Sequence, residues 1–435
     1  MDTIGRGQAV GVLSEAEVES IIAAGLGRLP LDGQRVLLIV PDHTRSIPLP
    51  MFFRLIMRQL LPRVRAADVL VALGTHPPMS QEALLRHVGL TPETKAAEYP
   101  NVRLLNHAWN DPQALLTLGT LPEDEMAEIS GGLLRQAVPV RLNRLILDYD
   151  LLLVCGPVFP HEVAGFSGGN KYFFPGIAGQ DIIDFTHWLG ALITSYALIG
   201  TADTPVRRVM DRAAALIPRP RLAVCSVIVP EGVAGVFVGP PEDAFQSAAA
   251  LSAQRHIRWT DRTYSQVLSV LPGMYEEIWV GSKGMYKTEP VVADGGEVIL
   301  YAPHIHEISV VHGKVIRQIG YHVRDYFVKQ WDQFKALPWG VLAHSTHVRG
   351  RGSYEDGVER PRIQVTLATG IPREVCEAVN LGYRDPDSIH PQDWADRESE
   401  GILLVPHAGE TLYRVRVPAA LSSEKAPAQA AMRSS

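Results

Sequence analysis

Three short apolar runs constrain this chain more than any other feature, because each is cut off by glycine or proline and followed at once by polar chemistry. Arg35-Val-Leu-Leu-Ile-Val40 runs into Pro41-Asp-His-Thr-Arg45, Asp68-Val-Leu-Val-Ala-Leu73 into Gly74-Thr-His-Pro-Pro78, and Leu151-Leu-Leu-Val-Cys155 into Gly156-Pro157. Runs of this length without polar alternation read as strands buried on both faces, the condition of a parallel sheet covered by helices. Helical signals lie between them. Met51 to Val64 has amphipathic spacing entered after Pro48 and Pro50, and Ser80 stands as an N-cap with Glu82 in the turn that follows. Val102-Arg-Leu-Leu105 adds a further strand. The alternation predicts an α/β fold with mostly parallel sheets. Ligands of such folds sit beyond the carboxyl ends of the strands, where this chain places its polar residues.

A second cycle begins near residue 262, with strands expected at Gln266–Leu271, Glu297–Ala302 and Gly340–His344. The Ala-rich stretch from Ala244 to Gln254 reads as the connecting helix. The expected organisation is therefore two α/β domains, residues 1–255 and 256–420, with an active-site cleft between them. Residues 421–435, rich in Ala, Ser and Lys without an apolar period, read as a frayed tail. With 435 residues, 46% hydrophobic and 20% charged, the chain has ample core. A net charge of −6 with mixed signs leaves no basic stripe for nucleic acid. No apolar run approaches the ~20 residues of a membrane span, and Met1–Gly7 lacks the apolar region of a secretory signal. Cys155, Cys225 and Cys376 are too few and scattered for a disulfide framework, so a cytoplasmic location is expected.

The densest chemistry lies in His161-Glu-Val-Ala-Gly-Phe-Ser-Gly-Gly-Asn-Lys171, followed by Thr186-His187. Gly165, Gly168 and Gly169 free the backbone for positive φ and close approach, which suits a main-chain cradle for phosphate. Lys171 can neutralise such a phosphate or react as an amine. A nucleotide-triphosphate loop is set aside, since Lys171 follows Asn170 and precedes Tyr172 where Gly-Lys-Ser/Thr is required. On residue type alone His161 and His187 suggest zinc, but a third close ligand is missing.

Asp42-His-Thr-Arg45, Gly74-Thr-His76, His161 with Gly-Phe-Ser-Gly-Gly-Asn-Lys171, Thr186-His187, and Lys283-Gly-Met followed by Asp294-Gly-Gly296 occur in a distinctive order and spacing. In these elements, and over residues 10–415, the chain resembles the lactate racemase family. The resemblance implies a nickel-pincer nucleotide, a thiolated pyridinium mononucleotide that holds nickel, linked covalently to Lys171 and ligated by His187. It places Asp42, Gly168 and Gly169 at the cofactor. One imidazole beside a sulfur-rich square-planar donor set suits nickel or copper rather than tetrahedral zinc. The implied activity is racemisation or epimerisation of a 2-hydroxy acid by reversible hydride transfer from C2. His76 and His161 resemble the family's acid/base pair, one on each side of the substrate. Arg45 and Lys283 are expected to hold the carboxylate. Implied partners are the small-molecule 2-hydroxy acid and the proteins that synthesise the cofactor.

Lactate-acting relatives tend to carry an amide side chain where this chain has Val280, and Trp279, Tyr286 and Lys287 alter the same neighbourhood. A substrate such as malate or a longer aliphatic 2-hydroxy acid is therefore expected alongside lactate, with Lys287 favouring a second carboxylate if it faces the pocket. His43, His107, His304 and His306 read as packed or capped histidines near strand ends. Two other readings compete. A nicotinamide-dependent dehydrogenase would use similar residues, but no Gly-x-Gly-x-x-Gly follows an early strand. A non-catalytic carrier of the nickel nucleotide would need Lys171 and His187 alone, whereas His76, His161 and Arg45 are also present.

Overall fold

Seven strands form the first sheet of the computed structural model, which describes residues 2–416. They are β1 (Ile4–Gly7), β2 (Arg35–Pro41), β3 (Ala66–Ala72), β4 (Leu104–Asn106), β5 (Leu151–Pro157), β6 (Arg221–Val229) and β7 (Gly232–Gly239). Their order across the sheet is β1-β7-β6-β5-β2-β3-β4. From β6 to β4 all neighbours are parallel, while β6–β7 and β1–β7 pair antiparallel at one edge. Successive residues of β2 explain why its run is apolar throughout. Val36, Leu38 and Val40 pack on one face with Phe52, Phe53 and Ile56 of α1 (Leu49–Leu60). Leu37 and Ile39 pack on the other with Phe185 and Leu189 of α2 (Gln180–Ile193) and Phe245 of α3 (Pro241–His256). Both faces are dry, so alternation has nothing to mark.

The second sheet contains β8 (Tyr264–Val270), β9 (Val292–Ala302), β10 (Gln364–Thr369), β11 (Gly382–Tyr383) and β12 (Ile402–Val405), in the order β11-β10-β9-β8-β12. All its pairings are parallel. The fold is thus α/β with mostly parallel sheets. The strands expected at Gln266–Leu271 and Glu297–Ala302 are β8 and β9, and the Ala-rich connection is α3.

The strand expected at Gly340–His344 is instead part of helix α4 (Trp339–Arg349). It starts after Pro338, ends at Gly350 with φ 78°, and buries every residue from Val341 to Arg349. A helix buried all round shows no amphipathic period, and its short apolar stretch then looks like a strand. α4 packs against α2 and so joins the two halves of the chain. Among the described residues no helix is long and apolar enough to cross a membrane. The tail read at 421–435 lies outside the described residues.

Candidate active site

In the first sheet the chain leaves β2 for β3 on one side, while β5 flanks β2 on the other, so a crevice opens beyond the carboxyl ends of β2 and β5. Asp42 follows β2 directly and is buried. Its Oδ1 accepts hydrogen bonds from the Thr44 N–H at 3.1 Å and the Thr44 hydroxyl at 2.7 Å. Its Oδ2 pairs with Nδ1 of His76. His76 reaches this position because Gly74, at φ 57°, turns the chain just past β3. Burial alone would raise the Asp42 carboxyl, but the His76 imidazole, the Arg45 guanidinium and the Thr44 hydroxyl outweigh it and hold Asp42 ionised, well below the usual carboxylate range. A carboxylate only accepts, so Nδ1 of His76 carries the proton and Nε2 is left without a partner among the described residues.

Past β5, Pro160–His161 pairs antiparallel with Gly165–Phe166 in a tight reversal. Ser167 locks it, donating to the Pro157 carbonyl at 2.9 Å and accepting from the Phe159 N–H at 3.1 Å. Gly165 is obligatory here: its φ is 80°, and a Cβ would lie 1.9 Å from the Thr201 carbonyl oxygen. Nδ1 of His161 accepts the Val163 N–H at 3.1 Å. Burial, then the charges of Lys171 and Arg45, push this imidazole well below its ordinary pKa.

Lys171 sits in the single helical turn Gly169–Tyr172. Burial and the neighbouring Arg45 bring its pKa down to about 7, against the opposing pull of Glu162. Its amine has no hydrogen bond or ion pair among the described residues. The turn is braced from behind by buried Arg207, which donates to the carbonyls of Phe166 at 2.5 Å and Gly168 at 3.0 Å and lies 3.9 Å from the Phe245 ring centroid. Asn170 is held by Asp211, Glu242 and Arg221 at 2.7–2.9 Å. One turn into α2 beyond Ile183, His187 donates Nδ1–H to the Ile183 carbonyl at 2.6 Å, so Nε2 keeps its lone pair free. Burial brings its pKa down to about 4 and keeps it neutral.

The second half of the chain supplies Lys283. Its amine donates to the Thr44 carbonyl at 3.3 Å and lies 4.7 Å from the Tyr275 ring centroid. Burial, then Arg45 and Lys287, push it well below the usual lysine value. Arg45 has no hydrogen-bond partner among the described residues and is held over the Phe159 ring, 5.7 Å from its centroid.

Asp42, Arg45, His76, His161, Gly168, Lys171, His187 and Lys283 all line one cavity, with an empty volume of about 1030 Å³ including its mouth. Gly169, the ninth expected residue, does not. It faces α3, where a Cβ would come within 2.9 Å of Phe245 and 3.0 Å of the Pro241 carbonyl. Asp42, expected at the cofactor, bonds His76. Lys287 is absent from the cavity wall: its amine donates to the carbonyls of Gly409 and Glu410, the latter at 3.3 Å.

Three lining residues escaped the sequence reading. Glu162 lines the cavity beside His161, its Oε2 3.4 Å from Nδ1, with the Tyr286 phenol as a further neighbour of its carboxylate. Burial would raise it, but its own N–H, His347, Lys171 and Arg45 keep it below the usual value. Its position next to His161 was the available signal. His344 and His347 come from α4, so misreading that helix as a strand concealed them. His344 stacks on Trp279 with centroids 4.0 Å apart and donates Nε2–H to the Trp279 carbonyl at 3.1 Å. Among the described residues no three His, Cys, Asp or Glu side chains converge to hold a metal ion unaided, so the pair His161 and His187 finds no third ligand for zinc.

Residues 12–199 match the family model of the lactate racemase N-terminal domain. The chain is 26% identical over 281 residues to the lactate racemase of Thermoanaerobacterium thermosaccharolyticum, covering 62% of this chain and 60% of that protein. It is 31% identical over 156 residues to the lactate racemase of Lactiplantibacillus plantarum, covering 35% of this chain and 32% of that protein. The chain thus spans less than two thirds of either curated relative. Among solved structures, a Thermotoga maritima protein superposes with a TM-score of 0.86 at 32% identity, over 93% of this chain and 99% of that one. The lactate racemase apoprotein of T. thermosaccharolyticum superposes at 0.68 with 19% identity, over 94% of each chain, which speaks to the fold.

Proposed function

The chain belongs to the lactate racemase family, and from that premise we propose that it interconverts the two configurations at C2 of a 2-hydroxy acid. One observation carries the reading: an Arg45 guanidinium with no hydrogen-bond partner among the described residues and two imidazoles, His76 and His161, border the same cavity as the buried amine of Lys171. Arg45 offers a planar fork matched to a carboxylate, and the Lys283 amine adds an N–H donor from the opposite half of the chain. His76 and His161 then stand at the C2 hydroxyl, the group whose proton must leave when C2 is oxidised.

The residues present fit the nickel-pincer nucleotide. Lys171 is half deprotonated near neutrality and has no bond to surrender, as an amine that is to be acylated requires. His187 is oriented by the Ile183 carbonyl with Nε2 open, the arrangement that fixes an imidazole as a metal ligand. When bound, the group supplies a hydride acceptor next to nickel. Everything else is done by the chain: Arg45 and Lys283 bind and orient, α4 and Trp279 exclude water, and the histidines handle the hydroxyl proton.

For the substituent on C2 the wall supports a narrower reading. Lys287 is committed to two main-chain carbonyls, while Trp279, Val280 and Tyr286 face the cavity. With no free cation among these positions, the proposed substrate has an uncharged substituent on C2, as in an aliphatic 2-hydroxy acid rather than a diacid. Protein produced together with the cofactor-synthesis proteins should carry a covalent mass adduct that Lys171→Ala lacks, and His187→Ala should keep the adduct while losing nickel. Offered single enantiomers, it should invert aliphatic 2-hydroxy acids ahead of malate. Full nickel content and activity in Lys171→Ala would overturn the cofactor reading; no inversion of any 2-hydroxy acid by adduct-bearing protein would overturn the racemase reading.

A further inference from the structure

Inversion at C2 of an acid whose carboxylate is held exchanges the places of two groups. When Arg45 and Lys283 grip the carboxylate and the hydrogen on C2 points the same way in both enantiomers, the hydroxyl of one lies where the substituent of the other lies. The strand order β5-β2-β3 sets what stands at those two places. Arg45 follows the middle strand, β2, with His161 past β5 on one flank and His76 past β3 on the other. A racemase therefore needs room for the substituent on both flanks, and here the flanks differ.

On the His161 flank the wall is core. His161, Val163, Ala164 and Phe166 are each no more than 5% exposed, and Gly165 between them lies against Thr201 and Thr204. On the His76 flank a second cavity begins. His76 and Val280 line it as well as the main one. It continues past them between Pro77, Pro78, Met79, Ala83, Met274 and Val310, with an empty volume of about 1270 Å³ including its open side. The polar groups along it are engaged or exposed. Glu277 accepts the Val310 N–H at 2.6 Å, His87 donates Nε2–H to the Pro41 carbonyl at 2.8 Å, the Thr44 hydroxyl donates to Asp42, and Arg86 pairs with Glu82. His43 and Glu276 are exposed. What this space offers a ligand is hydrocarbon and thioether surface.

We propose, resting on the racemase reading, that the cavity beyond His76 is a one-sided subsite for an apolar tail on C2. It receives the tail of one enantiomer, while the buried reversal at His161 leaves the tail of the other no such space. Short 2-hydroxy acids are therefore inverted, and longer ones are bound in a single configuration and turned over slowly. Each methylene moved from water onto this surface tightens binding about fourfold, and only one enantiomer gains it. Enantiomers have the same free energy in solution, so kcat/KM must be equal in the two directions. The hand that binds more tightly must then show the lower kcat, in proportion.

Cofactor-loaded protein tests this with single enantiomers of lactate and 2-hydroxyhexanoate, assayed for inversion, and of 2-hydroxyoctanoate, assayed for binding by calorimetry. One hand of the octanoate should bind about tenfold or more tightly than the other, the gain of two or more buried methylenes. With the hexanoate, KM and kcat of the two hands should diverge by a common factor, whereas the two hands of lactate should match closely in both. Ala83→Phe, on the helix Gln81–His87, fills the side cavity and should erase the octanoate preference while leaving lactate inversion unchanged. Val310→Trp should do the same from a rim position that is 72% exposed, where the fold is not at stake. Equal binding of the two octanoates by the native protein, a preference that survives both variants, or inversion of the hexanoate as fast as lactate would overturn the proposal and leave the racemase reading intact. If the loaded protein inverts no acid, the racemase reading fails, and the octanoate preference and its loss in the variants still decide whether the tail enters this cavity.

Discussion

Glu162 shares the cavity lining with Asp42 and the cationic Arg45, and its charge raises the affinity of Lys171 for a proton. Glu162→Gln should therefore lower the Lys171 pKa further and enlarge its reactive fraction at neutral pH. Labelling of cofactor-free protein with a small amine-directed electrophile, followed by peptide mass spectrometry, should give half-maximal Lys171 modification near pH 7 in the native chain and at lower pH in the variant. An unchanged or higher midpoint would contradict the assigned coupling. Lys287 leads to a different expectation. Its amine lies on the Gly409 and Glu410 carbonyls, so Lys287→Ala should reduce stability without changing the ratio of diacid to aliphatic turnover. At this scale the residues that follow strand ends were readable from sequence, because strand ends in a parallel sheet converge on one crevice. Their partners were not. Whether Asp42 holds Arg45, a cofactor or His76 depends on how the turn at Gly74 brings two separate strand ends together, a contact across 34 residues with no local signature.

Elements divide along the same line. β2, β3 and β5 declared themselves as unbroken apolar runs because both faces of their sheet are covered, and β8 and β9 did so in the second half. α4 did not, since burial all round erased the period that marks a helix, and two cavity histidines went unseen with it. The glycine loop was recognised, but its glycines serve packing as much as ligand approach: Gly169 fits against α3 and Gly165 against the Thr201 carbonyl. Gly165→Ala combines a left-handed φ, about 1–2 kcal/mol for a non-glycine residue, with an overlap that the loop must open to relieve, about 1–3 kcal/mol. It should cost ~3 kcal/mol or more and disorder the His161 reversal. Gly295, at φ 76° with nothing near its missing Cβ, is the control, and Gly295→Ala should cost only the backbone share. Urea midpoints of the two variants check this; equal losses would mean that the close approach at Thr201 is not what demands glycine.

At the scale of the molecule, three lysines among the described residues are buried with lowered proton affinity: Lys171 at about 7, Lys287 at about 8, and Lys283 well below its usual 10.5. Burial also brings His107, His187, His312 and His347 down to about 4. In each case the unfolded chain binds a proton that the fold does not, over the interval between the two pKa values. Stability therefore rises with pH there, by about 1.4 kcal/mol per unit for each such proton. The histidines act between about 4 and 6.5, and Lys171 and Lys287 from about 7 or 8 upward. Opposing them, burial raises the thiols of Cys225 to about 12 and Cys376 to about 11, with Cys155 raised further, so above their ordinary 9.0 the fold retains protons that the unfolded chain releases. The buried phenols of Tyr172, Tyr275 and Tyr286 add to this above 10.0. Cofactor-free protein should accordingly gain stability from pH 5 to about 9 and lose it above about 10. Lys171→Met should be more stable than the native chain at pH 7, with the difference shrinking toward pH 9 as the native lysine escapes its penalty in the unfolded state progressively less. Urea unfolding at fixed ionic strength follows this directly, and a native profile that falls between pH 7 and 9 would show that the three lysines are not buried as charges the fold must discharge.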